Sequence, residues 1–186
     1  MPKATSIVRA ESFPNRTRTG RPSTTAARKL TMYLGYGRGK EQEQVQRPLR
    51  GLWHDEKGNI LRHQDVLMWV IEQGKQNEYT YQFILSTRFA DLDEDEYTKA
   101  LQAGGGMLPA WRLLRHEDGS FPHAHVLAFG HKEIRIKDLA FQDWCQKVRG
   151  ALEQIQDRYM DMHKEQALEM MLSEEQSRHR SWGMEL

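Results

Sequence analysis

The chain has one cysteine, six prolines and no long hydrophobic run among its 186 residues. The single thiol, Cys145, excludes an intramolecular disulfide and suits a reducing compartment. No stretch approaches the roughly 18 apolar residues of a transmembrane helix, and no signal-type hydrophobic segment is present. No internal repeat is visible either, which argues against a solenoid or an array. From these absences we expect a soluble, cytoplasmic protein without a membrane partner.

A strong net charge is also lacking, since the formal charge at pH 7 is only +1. The charge is nevertheless uneven, because residues 1–50 hold eleven Lys or Arg against three acids, giving +8 there and −7 elsewhere. A basic segment attracts phosphate backbones through counterion release. A disordered tail and an organellar transit peptide are alternative interpretations of the first 24 residues. The candidate DNA contacts are Arg16, Arg18, Arg21, Arg28, Lys29 and Arg38.

A hydrophobic fraction of 38% and a charged fraction of 28% suit one globular domain with irregular ends. We predict a basic, flexible arm over residues 1–24, a domain over residues 25–172 and a polar tail over residues 173–186. Apolar periodicity and turn residues predict an α+β fold, with an antiparallel sheet flanked by helices. The predicted strands are residues 6–10, 79–89, 111–116, 123–129 and 134–136, and the predicted helices are residues 25–34, 63–73, 93–103 and 137–172.

Three of the eight histidines, His116, His123 and His125, lie within ten residues. In the apolar run 123–129 side chains alternate between faces, so His123 and His125 project from the same side of a strand. The turn-forming residues before this run would fold His116 back against it as a hairpin. Three imidazoles without a thiolate leave coordination positions open, as in a catalytic metal site. Asp118 is either the partner of a ligating ring or an Asx-turn residue.

The spacing of this motif is His-x-Asp from His116, four residues ending in Pro122, and then His-x-His. Here the chain resembles the HUH endonucleases, and within them the conjugative relaxases of the plasmid-mobilisation and T-DNA-transfer type. The resemblance covers residues 28 to about 130, including the strand at 79–88 and the acidic helix entry at 91–97. It implies a ferredoxin-like core and a divalent metal held by the three histidines, Mn²⁺ or Mg²⁺ first and Zn²⁺ or Ni²⁺ as alternatives.

The same resemblance implies site- and strand-specific nicking and joining of single-stranded DNA at an origin of transfer or a similar site. Plasmid mobilisation, conjugation and horizontal gene transfer would be the setting, with accessory or coupling proteins as separate chains. A monomer is the default expectation. The long C-terminal helix offers an alternative dimer interface.

In this branch of the family the nucleophile is a tyrosine near the N-terminus, in a helix reading Tyr-Leu before a basic, glycine-containing turn. Tyr33 fits this description and is the predicted nucleophile. Tyr36 ranks second, because it shares the helix face only if the helix continues through Gly35, which has poor helix propensity. A phenol attacking a phosphodiester would retain the 5′ phosphate as a covalent link. Packing of an amphipathic helix is the alternative explanation of both tyrosines.

Three other readings of the function remain open. Rolling-circle replication initiators and HUH transposases place the nucleophile on a helix after His-x-His, which would select Tyr159, although the apolar row around Tyr159 predicts core packing. The chain could also be a non-catalytic DNA-binding module with the HUH fold. A three-histidine hydrolase of another phosphodiester would need no covalent tyrosine. His54 and His63 are further candidates for reaching the metal or the scissile phosphate.

Overall fold

Six antiparallel strands form one sheet in a computed structural model that describes residues 6–116 and 122–182, with side chains to residue 172. The strands are β1 (Ser6–Pro14), β2 (Trp53–Asp55), β3 (Ile60–Leu61), β4 (Tyr79–Thr87), β5 (Trp111–His116) and β6 (His123–Gly130), and the helices are α1 (Thr25–Tyr36), α2 (Glu41–Gln44), α3 (His63–Gln76), α4 (Glu94–Ala103) and α5 (Leu139–Trp182). Their order across the sheet is β1-β4-β6-β5-β2-β3. The predicted α+β class is confirmed. No helix in the described part of the chain has an apolar stretch that could cross a bilayer.

Helices cover both faces of the sheet and enclose two separate cores. Helices α4 and α5 pack on one face, where Val126 is buried, and α1 and α3 pack on the other, where Leu127 is buried. Because side chains alternate along a strand, His123 and His125 lie on the same face as Leu127. His116 is the cross-strand partner of His123 and shares that face. The three histidines therefore lie on the side of the sheet that carries α1 and α3.

The hairpin of β5 and β6 forms as predicted, with its two strands in continuous antiparallel register. The connection between them, residues 117–121, falls outside the described residues. Helix α4 is fixed at its start by a capping box in which Asp93 accepts from the Glu96 backbone and the Glu96 side chain accepts from the Asp93 backbone. The acidic first turn predicted for this helix is present.

Strand β1 is longer than the predicted residues 6–10, because it pairs with β4 as far as Pro14. This part of the segment predicted as a flexible arm is therefore a strand of the sheet. Its alternation explains the difference, since Val8 and Ala10 pack against the α5-side core while Phe13 packs against the other core. Beyond it, Thr25 begins α1 as predicted.

Three other parts of the fold differ from the prediction. Residues 134–136 form no strand, because Ile134 packs against the α5-side core from an irregular segment and a turn follows it. The segment between α1 and α3, for which no strand was predicted, contains a short hairpin of β2 and β3. Its turn includes Gly58, whose φ is 81°. Helix α5 continues to Trp182, through part of the segment predicted as a polar tail.

Candidate metal centre

The side chains of His116, His123 and His125 converge on one point of the sheet. Their ring centroids lie 4.7 to 5.2 Å apart, and one ligand nitrogen from each lies within 4.8 Å of the others. His116 and His125 are buried, whereas His123 is half-buried and faces the open side. Three imidazole nitrogens at this spacing are close enough to bind one metal ion. Asp118, the predicted partner of a ligand, lies outside the described residues.

A backbone carbonyl of α1 sets the orientation of His116. The carbonyl oxygen of Leu34 lies 2.9 Å from Nε2 of His116. A carbonyl can only accept, so Nε2 carries the proton of a neutral His116 and the Leu34 carbonyl fixes the orientation of the ring. The tyrosine helix therefore contacts the metal site directly, because Leu34 follows Tyr33 in sequence.

His125 has a comparable contact on its other side. The side-chain amide of Gln82, on the neighbouring strand β4, lies 3.3 Å from Nδ1 of His125. The atom in contact is the amide nitrogen of Gln82, which can only donate, so Nδ1 of His125 accepts and Gln82 restrains the ring.

Tyr33 and Tyr36 both lie on α1, because the helix runs through Gly35 and ends only at Gly37. The sequence predicted that α1 ends at about residue 34, two residues before its observed end at Tyr36. Gly37 has a φ of 81° and its backbone N–H donates to the carbonyl of Tyr33, which closes the last turn. Tyr33 is 39% exposed. The ring of Tyr36 instead packs edge-on against His63, with centroids 4.7 Å apart.

Two basic cavities flank Tyr33. One has a volume of about 570 Å³ and the other about 560 Å³, and Tyr33 and Arg38 line both. Tyr36 lines only the second. Basic side chains of α1 and of the loop after it therefore lie around the exposed phenol. The first cavity is lined by Arg28, Lys29, Arg38 and Lys40, and the second by Arg38, Arg47 and Arg50.

The loop after α1 is fastened to the end of that helix. The Gln44 side chain donates to the Gly37 carbonyl at 2.6 Å, and the Arg47 guanidinium donates to the Arg38 carbonyl at 2.5 Å. Arg28 pairs with Glu41 across the first cavity, which offsets its charge. Arg38 remains exposed on this fixed loop. The cationic wall beside Tyr33 is thus held by hydrogen bonds in the described structure.

His63 packs against α1 and is not one of the three histidines that are close enough to share a metal ion. Its Nδ1 accepts a hydrogen bond from the indole N–H of Trp53 at 2.9 Å, so the neutral ring carries its proton on Nε2. Burial lowers the pKa of His63 below its usual value. A Cβ at Gly35 would lie 2.5 Å from the His63 ring, so the glycine allows this close approach. His54 pairs with Leu113 in register and faces the opposite side of the sheet.

Some predicted residues lie far from the histidines. Strand β1 starts beside His123, since Ile7 and His123 are both partners of Ser86, and it ends at Pro14. Seven residues of strand span roughly 23 Å. Arg16, Arg18 and Arg21 follow Pro14 and are not brought to the metal site.

Tyr159 lies on the other side of the sheet from the histidines. It is part of α5 and packs against the α5-side core, as the apolar row predicted. A hydrogen bond with Glu96 and partial burial raise its pKa above the usual tyrosine value. The sheet itself separates Tyr159 from His125.

Sequence reasoning missed the supports of the site. The Leu34 carbonyl leaves no side-chain signal, and Trp53 gave no periodic pattern in a predicted loop. The sequence gave a weak indication for Gln82, because a polar residue between apolar residues of a strand marks a special position on one face of β4. No protein-family model matches this chain, and no curated protein does.

Proposed function

We propose that this chain is a metal-dependent, site- and strand-specific single-stranded DNA nicking and joining enzyme, a relaxase of the HUH type, acting through a covalent 5′-phosphotyrosine at Tyr33. The observation that supports this most strongly is the hydrogen bond between the Leu34 carbonyl and His116. It attaches a tyrosine helix to a three-histidine cluster on the same face of the sheet. Neither part alone would suggest covalent DNA chemistry.

The choice of Tyr33 over Tyr36 follows from their surroundings. Tyr33 is exposed and lines both basic cavities, so a phosphodiester can approach its hydroxyl between cations. Tyr36 packs against His63 and is partly covered. We assign Tyr36 to the packing of α1.

The three histidines fit a divalent metal ion. Bound between them, the ion would act as a Lewis acid on a phosphoryl oxygen and stabilise the charge that develops there. An all-imidazole donor set suits borderline transition metals better than Mg²⁺, so we expect Mn²⁺ to serve before Mg²⁺, with Zn²⁺ and Ni²⁺ as tight competitors. The Leu34 carbonyl and the Gln82 amide restrain the rings of His116 and His125.

The chemistry of Tyr33 would be a reversible transfer of one phosphoryl group. Its hydroxyl oxygen attacks phosphorus as the proton leaves to water, and the bond from phosphorus to the 3′ oxygen breaks. The 3′ oxygen takes up a proton and becomes a free hydroxyl. Since one phosphodiester replaces another, a second 3′ hydroxyl can reverse the step and join strands.

The substrate would be single-stranded DNA at an origin of transfer or a similar site. Arg38 and Lys40 face the path of a strand that enters the first cavity, and fixed cations of this kind bind backbone phosphates without reading bases. Plasmid mobilisation in the cytoplasm, with accessory or coupling proteins as separate chains, is the role that this activity would serve.

The test is a cleavage assay with Mn²⁺ and a pool of labelled single-stranded oligonucleotides from the chain's own replicon, resolved on a denaturing gel. We expect discrete products, lost on chelation and in a His125→Ala variant. His131→Ala is the matched control, because His131 is exposed and lies beyond the end of β6. It should cleave like the parent chain.

Other outcomes would select the remaining readings. Cleavage that persists in Tyr33→Phe would indicate a metal phosphodiesterase or a different nucleophile. Salt-sensitive binding without cleavage under any metal would indicate a DNA-binding module that retains the fold.

A further inference from the structure

One edge of the sheet is long and uncovered. β1 stands at the end of the strand order and pairs with β4 over all nine of its residues, while no strand in the described parts of the chain pairs with its outer side. The strand at the opposite edge of the sheet, β3, has only two residues. β1 contains no lysine or glycine, and its proline comes only at position 14. A long edge strand of this kind presents a row of backbone N–H and C=O groups with which another strand can pair.

The sequence of β1 is complementary to itself in one antiparallel arrangement. We infer that β1 pairs with β1 of a second copy of this chain, around a twofold axis at Ala10. In that register Arg9 lies opposite Glu11 of the second copy, and Glu11 lies opposite Arg9. Ile7 and Phe13 lie opposite each other in the same way. Opposite charges directly across two strands stabilise the pair, and like charges destabilise it.

The neighbouring symmetric registers are unfavourable. A shift of the partner by two residues in one direction places Arg9 opposite Arg9, and a shift in the other direction places Glu11 opposite Glu11. Arg9 and Glu11 already form an ion pair of 3.6 Å along their own strand, with side chains 69% and 60% exposed. Pairing around Ala10 would extend this pair into a square of alternating charges. The exposed Ile7 would gain an apolar partner in the same step.

An open groove borders β1 on the face opposite the histidines. The groove has a volume of about 700 Å³ and lies between β1 and α5. It is lined by Val8 and Ala10 of β1 and by Phe141 and Cys145 of α5. Helix α5 lies beneath β1, where the Ser6 hydroxyl donates to the Glu153 carboxylate at 3.1 Å. Because the histidines lie on the other face of the sheet, pairing along β1 would leave Tyr33 and both histidine clusters uncovered by the partner.

This dimer would place the two histidine clusters on one face of a twelve-stranded sheet. With strands about 4.8 Å apart and about 3.3 Å per residue, the clusters would lie roughly 25 to 30 Å from each other. The inference stands on β1 and α5 alone and does not rest on the proposed DNA chemistry.

The experiment is sedimentation equilibrium of the full chain across the micromolar range, for the parent and for Arg9→Glu, Glu11→Arg and the double variant. We expect each single variant to weaken the dimer by at least about tenfold, because it places like charges opposite each other twice. The double variant restores opposite charges and should dimerise within about threefold of the parent. Lys57→Glu is the matched control, since it changes the net charge equally but lies at the turn between β2 and β3.

The sedimentation experiment on a mixture of the two single variants tests the inferred register most directly. Arg9→Glu has acids at both positions and Glu11→Arg has bases at both, so the mixture should form a heterodimer although each variant alone is a monomer. Thermal unfolding of each variant checks that the fold is retained, which the exposure of both side chains favours. A parent chain that stays monomeric, a dimer that Arg9→Glu leaves unchanged, or single variants that do not associate on mixing would each overturn the inference.

Discussion

The carbonyl oxygen of Leu34 lies 2.9 Å from Nε2 of His116, so the last turn of the tyrosine helix shares a hydrogen bond with a residue of the three-histidine cluster. The two residues are 82 positions apart in sequence. A displacement of α1 would therefore change the orientation of His116, a candidate metal ligand. Conversely, an ion held by His116 would stiffen the helix that bears Tyr33.

Gly35→Ala should lower stability although alanine is the better helix former. The new Cβ would lie 2.5 Å from Cε1 and 2.8 Å from Nδ1 of His63, so α1 or His63 must move. We expect a net loss of up to about 2 kcal/mol, since overpacking costs about 1–3 kcal/mol and the helix propensity of alanine offsets about 1 kcal/mol of that cost. Chemical denaturation measures it. Gly150→Ala in α5 is the control, because its Cβ meets nothing within 4 Å, and it should stabilise the chain. Equal effects at both glycines would contradict the packing of α1 on His63.

Metal binding should raise the unfolding temperature through the three histidines. At a concentration of about 100 times the Kd, an ion that binds only the folded chain contributes about 2.7 kcal/mol, or roughly 5–10 °C for a chain of this size. His125→Ala should lose this shift with Mn²⁺, whereas His131→Ala should keep it. Scanning calorimetry with and without chelator is the measurement, and a shift that survives in His125→Ala would place the ion elsewhere.

The metal-free chain should lose stability on acidification through His63. Its pKa is lowered in the fold by burial, so the unfolded chain binds the proton more readily. The neutral ring therefore contributes stability above the unfolded pKa of about 6.5, and this contribution falls as the pH decreases below that value. His63→Gln should flatten the pH dependence of the free energy of unfolding below pH 6.5 relative to the parent. Parallel curves for the two proteins would rule out this role.

Arg38→Ala with Lys40→Ala should weaken binding of a short single-stranded oligonucleotide at low salt. Both side chains line the cavity beside Tyr33, and each lost phosphate contact lowers the slope of log K against log salt by about 0.7. Arg18→Ala with Arg21→Ala removes the same charge from the far end of β1. Fluorescence anisotropy titrations in several salt concentrations should show a much smaller change for this second pair. An equal or larger change would return these residues to the DNA path that the sequence predicted.

The parts of the fold that follow local rules could be predicted from the sequence. The hairpin bearing His116 and His123 could be recognised because alternation and turn residues act over a few positions. The strand predicted at residues 134–136 had the same local pattern, but Ile134 uses its side chain for core packing in an irregular segment. Alternation of apolar residues alone does not distinguish these two outcomes.

The rest of the site depends on contacts that sequence does not encode locally. The hydrogen bond from Leu34 joins a backbone group to a side chain across most of the domain and leaves no residue pattern. Charge gave the same weight to Arg18 and Arg38, although only Arg38 lies beside Tyr33. Gly35 was expected to end the helix, yet its missing side chain is what allows α1 to pack on His63.

The central claim is that Tyr33 forms the covalent link to DNA. The most direct measurement is mass spectrometry of the peptide that remains attached to an oligonucleotide after reaction with Mn²⁺ and proteolysis. We predict a single phosphotyrosyl adduct at Tyr33, absent in Tyr33→Phe and retained in Tyr36→Phe. An adduct at Tyr36 or Tyr159, or cleavage without any adduct, would contradict the account.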